Sequence, residues 1–282
     1  MSMKLSKIAA IAADDRSYCF TSIAHLVDLD ALRTAFERVR KDGAPGIDGV
    51  TWAGYDEALE DNLGRLLERM KSGTYRATPV RRAYIPKAGG KQRPIGIPTL
   101  EDKVVQRAYV TLLEAIYEQD FYDCSHGFRS GRGCQTALEA TWKASMGSHV
   151  RWVIDADIQS FFDTLDHALL RKFLRRRVGD GRVLQMIGKW LKAGILDGEQ
   201  YTRPEAGTPQ GGVISPLLAN VYLHYVLDEW FHRDVQPWCS GQAFLVRYAD
   251  DFVIGFAREE DARGVMRVLP KRFARFGLTL HP

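Results

Sequence analysis

The chain of 282 residues is 45% hydrophobic and 26% charged, which excludes a disordered or fibrous protein and leaves room for one large domain or two subdomains. Its formal net charge is only +4, so an anionic partner has to be argued from where the cations lie. Four widely spaced cysteines (Cys19, Cys124, Cys134, Cys239), with no Cys-x-x-Cys pair and no zinc spacing, suit free thiols in a reducing cytosol.

Lys4 and Lys7 before the apolar run Ile8 to Ala13 imitate a secretory signal, but the run is short and ends at Asp14-Asp15. No run approaches membrane-spanning length, so a cytoplasmic protein with no membrane contact is expected. Leu29, Leu32, Phe36 and Val39 lie at helical spacing behind a cap at Asp28 or Asp30, with Gly43 as the stop. Gly43-Ala-Pro-Gly-Ile-Asp-Gly49 reads as a loop, and Leu59, Leu63, Leu66, Leu67 and Met70 mark a second amphipathic helix.

Val80 to Ile85 and Arg93 to Ile97 read as two strands joined by a turn around Ala88-Gly89-Gly90, with Lys87, Lys91 and Arg93 near the tip. The stretch Lys71 to Arg93 carries seven basic residues and no acidic one, and Arg171, Lys172, Arg175, Arg176 and Arg177 form a second cluster. Either alone reads as a solvated face; together they point toward an anionic partner such as a nucleic acid. Leu100 to Tyr117 is a strong helical pattern.

Arg151 to Ile158 is expected to be a buried strand, with Val153, Asp155 and Asp157 on one face and Trp152, Ile154 and Ala156 on the other. Helices are expected over His167 to Arg177 and Arg182 to Leu191, and a short hairpin at Asp197-Gly198. Ser215-Pro216 suits the start of a helix running to about Trp230. Glu259 to Phe276 is helical in pattern, interrupted by Gly264 and by Pro270, which is expected to kink or split it.

The chemistry centres on Tyr248-Ala249-Asp250-Asp251, two adjacent carboxylates between the apolar runs Phe244 to Val246 and Phe252 to Phe256. On its own such a tip needs no metal, because Asp is a common turn former. Asp155 and Asp157 add carboxylates to a strand where charge calls for a cationic partner, either Arg or Lys or a metal. If that strand lies in the same sheet, Asp157, Asp250 and Asp251 meet at one edge, where hard divalent cations could drive nucleotidyl transfer.

These residues resemble a known family. From about Gly43 to Pro282 the chain is similar to the fingers and palm of the reverse transcriptases encoded by bacterial group II introns. Tyr248-Ala-Asp-Asp251 resembles the motif carrying two metal aspartates, and Val153-Ile-Asp-Ala-Asp-Ile-Gln-Ser-Phe-Phe-Asp163 the motif carrying the other. The resemblance implies Asp157 as that ligand, with Asp155 the alternative, and Phe162 rather than Phe161 as the ring that excludes a ribose 2′-hydroxyl. Tyr84 to Pro98 resembles the fingers hairpin, implying that Lys87 and Arg93 hold the incoming triphosphate. Gly207-Thr-Pro-Gln-Gly-Gly-Val-Ile-Ser-Pro216 resembles the loop that packs on the nascent base pair, implying a nucleotide contact at Gln210 and close backbone approach at Gly211 and Gly212. His126 to Gly133 resembles a template track, with Arg129 and Arg132, and also Lys91, as nucleic-acid contacts or else, for the two arginines, structural ion pairs.

What the resemblance implies is an α+β fold of right-hand polymerase type, an antiparallel palm sheet packed on helices, with residues 1–42 an N-terminal helical extension, 43–145 fingers and 146–282 an incomplete palm whose thumb is absent. The implied activity is RNA-directed DNA synthesis using two Mg²⁺, or Mn²⁺, with an RNA template, a DNA or RNA primer, deoxynucleoside triphosphates and a group II intron RNA as partners. An RNA-binding splicing cofactor (maturase) and a defence or CRISPR-associated reverse transcriptase are the alternatives.

Overall fold

The computed structural model describes residues 3–86, 90, 92–147, 149–202, 206–208 and 211–281. Seven strands are present among them: β1 (Val80–Pro86), β2 (Gln92–Ile97), β3 (Trp152–Ala156), β4 (Ile195–Asp197), β5 (Gln200–Thr202), β6 (Ala243–Tyr248) and β7 (Asp251–Phe256). Helices and sheets are mixed, an α+β arrangement in two compact units. One holds residues 1–119 and 174–215, the other residues 120–173 and 216–282. The contiguous segments 1–42, 43–145 and 146–282 expected from the sequence do not coincide with these units, because the chain returns to the first unit after residue 173.

The first unit is built on the helix Leu100–Tyr117, capped by Thr99, whose hydroxyl accepts from the Asp102 amide. Thirteen of its residues are buried, and the helices Met3–Asp14 and Leu29–Glu37 pack on it. Of the two expected caps for Leu29–Glu37, Asp28 is the one used: it accepts from the Ala31 amide, a bond worth about 1 kcal/mol. Leu63 and Leu66 give the helix Leu59–Lys71 its buried stripe. The sheet runs in the order β2-β1-β4-β5, with β1 antiparallel to β2 and parallel to β4. The loop after Gly43 is tied down by its carbonyls: Lys103 Nζ donates to Ala44 and Arg81 Nη2 to Pro45, at 2.6 and 2.8 Å.

The second unit has a three-stranded antiparallel sheet in the order β3-β7-β6. The helix Cys134–Gly147 packs on β6 and β7, and Glu259–Ala274 on β3 and β7. Phe252, Ile254, Phe256, Leu269 and Phe273 are the buried link between that sheet and the latter helix.

Five expectations are corrected. Arg151 to Ile158 shortens to β3, and as an edge strand it leaves Val153 58% exposed while Ile154 turns inward. His167–Leu174 ends three residues early because Arg177 turns inward. Its Nη1 donates to the carbonyls of Asp15 and Tyr18 and its Nη2 to that of Ala12, closing the end of Met3–Asp14, so it does not belong to a solvated basic cluster. The helix from Ser215 does not stop near Trp230: after Leu223 it widens into π-helical turns at His224–Asp228 and Phe231–Val235 and reaches Trp238. Glu259–Ala274 is one continuous helix despite Pro270. The amide that Pro270 lacks would have bonded Met266, which lies on the solvent side where water can serve its carbonyl. Cys134–Gly147 has no counterpart in the sequence pattern, since its apolar Leu138, Trp142 and Met146 line the exposed side.

Candidate active site

The end of the β3-β7-β6 sheet gathers the carboxylates. β6 and β7 pair from Ala243↔Phe256 to Tyr248↔Asp251, so Ala249 and Asp250 form the connecting turn. Ala249 sits at φ 58°, a left-handed conformation that costs a side-chain-bearing residue about 1–2 kcal/mol. On the other side of β7, Asp155 faces Val253 and Ala156 faces Phe252, and the register carries Asp157 on toward Asp251.

The backbone of Asp157 is pinned from outside the sheet. Its carbonyl accepts from the His281 amide at 2.8 Å, Gln159 donates to the Thr279 carbonyl at 2.8 Å, and Ile158 bridges to Leu280. Asp251 is exposed as a residue, yet partial burial of its carboxyl, then the nearby charges of Asp157, Asp250 and Asp155 and a hydrogen bond with Asp157, raise its pKa above the ordinary carboxylate value. A crowded carboxyl that holds its proton more tightly than usual, as Asp251 does, is a group that a divalent cation would relieve.

The donor set therefore fits Mg²⁺ or Mn²⁺: hard oxygens only, on two adjoining strand ends of one sheet. Among the described residues no group of three or more His, Cys, Asp or Glu side chains is already placed to hold a metal ion. The fit rests on the crowding of charge at the sheet end. Asp155 shares in that crowding from the exposed face of β3.

Phe161 and Phe162 follow in the short helix Phe161–Thr164, their rings at 65° and 5.5 Å apart. Phe161 also meets the ring of Tyr222, and it is the deeper of the two, at 2% exposed against 8% for Phe162. Arg93 lies exposed on β2 opposite Ile85 in the first unit. Lys87, Lys91 and Gln210 lie outside the described residues, as does most of the expected turn at Ala88-Gly89-Gly90. Close backbone approach at Gly211 is present, but to strand β2: at φ 110° a Cβ there would stand 2.6 Å from the Gly96 carbonyl oxygen.

The two arginines expected along a template have structural work. Arg129 is buried, its Nη1 donating to the Tyr122 and Ser125 carbonyls at 2.8 Å each, with its guanidinium over the Phe121 ring. Arg132 donates to the Asp123 carbonyl at 2.8 Å and pairs with its carboxylate at 2.5 Å. These bonds close the loop 121–132, and Arg129 is too deep to reach a phosphate.

Sequence reasoning missed the support beneath the turn: Ser125, Gly127, Asn220, Asp228 and Arg247. Arg247 and Asp228 are both fully buried and bonded to each other at 2.6 and 2.8 Å. The signal was available, since one cation inside the apolar run of β6 and one anion inside an apolar helix ask for each other. Burial opposes the charge on Arg247, but Asp228 outweighs it and holds the guanidinium above its usual pKa.

A family model described as reverse transcriptase (RNA-dependent DNA polymerase) matches residues 85–282. The group II intron-encoded protein LtrA of Lactococcus lactis subsp. cremoris is 39% identical over 222 residues, covering 78% of this chain and 37% of LtrA. Protein YkfC of Escherichia coli strain K12 is 36% identical over 302 aligned residues, covering 92% of this chain and 79% of YkfC. Nuclear intron maturase 4, mitochondrial, of Arabidopsis thaliana is 30% identical over 138 residues, 49% of this chain and 17% of that protein. The chain belongs to the reverse transcriptase family, among the reverse transcriptase/maturase proteins of group II introns. It spans little more than a third of the length of LtrA.

Proposed function

We propose that the protein is an RNA-directed DNA polymerase of the group II intron type, extending a DNA or RNA primer with deoxynucleotides on an RNA template. The observation that carries this reading is the crowding of Asp157, Asp250 and Asp251 at one sheet end, felt in the raised pKa of Asp251. In this reading the second unit is the palm and the first the fingers.

Asp157, Asp250 and Asp251 would hold two Mg²⁺, or Mn²⁺, with Asp155 contributing charge behind them. Such ions lower the pKa of an attacking hydroxyl and neutralise charge on the leaving oxygens. The chain's own task is to hold the carboxylates fixed in direction toward the cations. Arg93, with Lys87, offers a planar fork and a point charge to the triphosphate. Phe162 lies nearer the surface than Phe161, as a ring that meets a sugar edge should, and Gln210 would contact the nucleotide. Arg132 and Lys91 remain candidates for template phosphate, and an intron RNA is the natural long partner. No helix among the described residues is long and apolar enough to cross a membrane.

A second reading, an RNA-binding splicing cofactor, is favoured by the similarity to a protein named as an intron maturase. Primer extension on an RNA template and intron splicing, each with the parent chain and with Asp250→Ala, separate the two. The polymerase reading expects incorporation by the parent that Asp250→Ala abolishes, and it fails if the variant incorporates at the parent rate. The cofactor reading expects splicing help that the substitution leaves intact.

A further inference from the structure

Arg247 lies immediately before the Tyr-Ala-Asp-Asp turn and is the largest fully buried side chain among the described residues of its unit, with 0% exposure. A guanidinium has five N–H groups. Five acceptors meet them: Asp228 Oδ1 to Nε at 2.8 Å, Asp228 Oδ2 and Ser125 Oγ to Nη2 at 2.6 and 2.8 Å, and Asn220 Oδ1 and the Ala249 carbonyl to Nη1 at 2.9 Å each. The last is the one that concerns function, because Ala249 is the left-handed residue of the turn.

The remaining partners form a closed frame around the same peptide. Asn220, whose Oδ1 is taken by Arg247, donates through Nδ2 to the Gly127 carbonyl at 2.8 Å. Gly127 in turn lies flat against the turn: a Cβ there would stand 2.4 Å from the Ala249 nitrogen. The backbone of β6 is held beside it, Arg247 donating to the Cys124 carbonyl at 2.7 Å and accepting from the His126 amide at 2.9 Å. The π-helical turn His224–Asp228 carries the carboxylate that anchors the guanidinium, and such widened turns often serve functional sites.

We propose that Arg247 is a positioning residue for nucleotidyl transfer: its Nη1 bonds to the Ala249 carbonyl and Asn220 set the direction in which Asp250 and Asp251 leave the turn, while Asp228 and Ser125 fix Arg247 itself. The proposal rests on reading Asp250 and Asp251 as cation ligands. A lysine cannot replace this arrangement, because its ammonium is a single point with three donors and cannot span Asp228 and Ala249 together. An ion pair that merely stapled the helix to β6 would have no need of the Ala249 bond.

The test uses the whole chain and reads three quantities: Mn²⁺ affinity by electron paramagnetic resonance of the free ion, the Mg²⁺ dependence and kcat of primer extension, and the thermal midpoint. Two variants remove the Ala249 bond differently. Arg247→Lys keeps the charge beside Asp228, and the pair Arg247→Met with Asp228→Leu replaces the ion pair by apolar side chains that keep the core filled. Each is expected to weaken Mn²⁺ binding and lower kcat by about 10–100-fold, with primer and template KM little changed and a cooperative melt retained. Asp250→Asn is the reference. If it leaves Mn²⁺ binding and incorporation at parent values, the reading of the carboxylates fails. If it abolishes both while a folded Arg247 variant keeps parent affinity and kcat, the positioning role of Arg247 is overturned and a structural staple remains.

Discussion

Two antiparallel hairpins carry most of the charged residues proposed for chemistry, and they are built on opposite plans. The β6–β7 tip is anionic and sits on a buried frame: Arg247 is 0% exposed and Ala249 8%. The β1–β2 hairpin is basic and rises into solvent, with Tyr84 and Ile85 each 49% exposed and Arg93 exposed beside them. A carboxylate that must share a small cation with others has to be fixed in direction. A cation that meets a large, multiply charged phosphate is less demanding of direction, and Arg93 stands on an exposed part of the hairpin.

The contrast predicts which substitutions fall on rate, which on stability and which on both. On the proposed reading Asp250→Ala takes away a cation ligand, worth several kcal/mol in the transition state, so primer extension on an RNA template should fall roughly a thousandfold or more with little loss of stability. Arg247→Ala, with Asp228 intact, strands a buried carboxylate and should cost about 3–5 kcal/mol in denaturant unfolding, the largest stability effect among these variants. Gly127→Ala drives a methyl into the Ala249 peptide and should cost about 1–3 kcal/mol together with incorporation. Arg93→Ala on the exposed hairpin should change stability by less than about 0.5 kcal/mol while raising the deoxynucleotide KM in steady-state assays. A large stability loss there would erase the distinction between the two hairpins.

The smallest effect concerns pH. The folded pKa of Asp251 is raised, so its proton is held more tightly folded than unfolded. That contribution is present below the unfolded carboxylate pKa and is lost as pH rises through the folded value. Without divalent cations, the thermal midpoint of the parent should therefore drop relative to Asp251→Asn as pH rises from the unfolded carboxylate pKa through the higher folded value, and Mg²⁺ should recover it. Parallel midpoints for the two proteins would mean that the carboxylates do not crowd one another.

Much of this architecture is legible in the sequence, for identifiable reasons. Leu100–Tyr117 is found to the residue because its apolar positions repeat at helical spacing. The β6–β7 tip is found because two carboxylates interrupt apolar strands. Cys134–Gly147 is invisible because only Ala137 is buried while its large apolar residues face outward, inverting the usual pattern. Arg129 and Arg177 look like surface cations until the carbonyls they serve, brought by distant segments, are seen. The frame under the turn unites residues 125, 127, 220, 228 and 247, and no local periodicity can register such a meeting.

The central claim is that Asp157, Asp250 and Asp251 hold catalytic divalent cations. Crystals of the chain with an RNA template, a primer and a non-incorporable deoxynucleotide, grown in Mn²⁺, would test it through anomalous scattering. The account predicts Mn²⁺ peaks ligated by Asp157 and the turn carboxylates beside the triphosphate. Peaks only elsewhere, with Asp157 and Asp251 still hydrogen-bonded to each other, would contradict it.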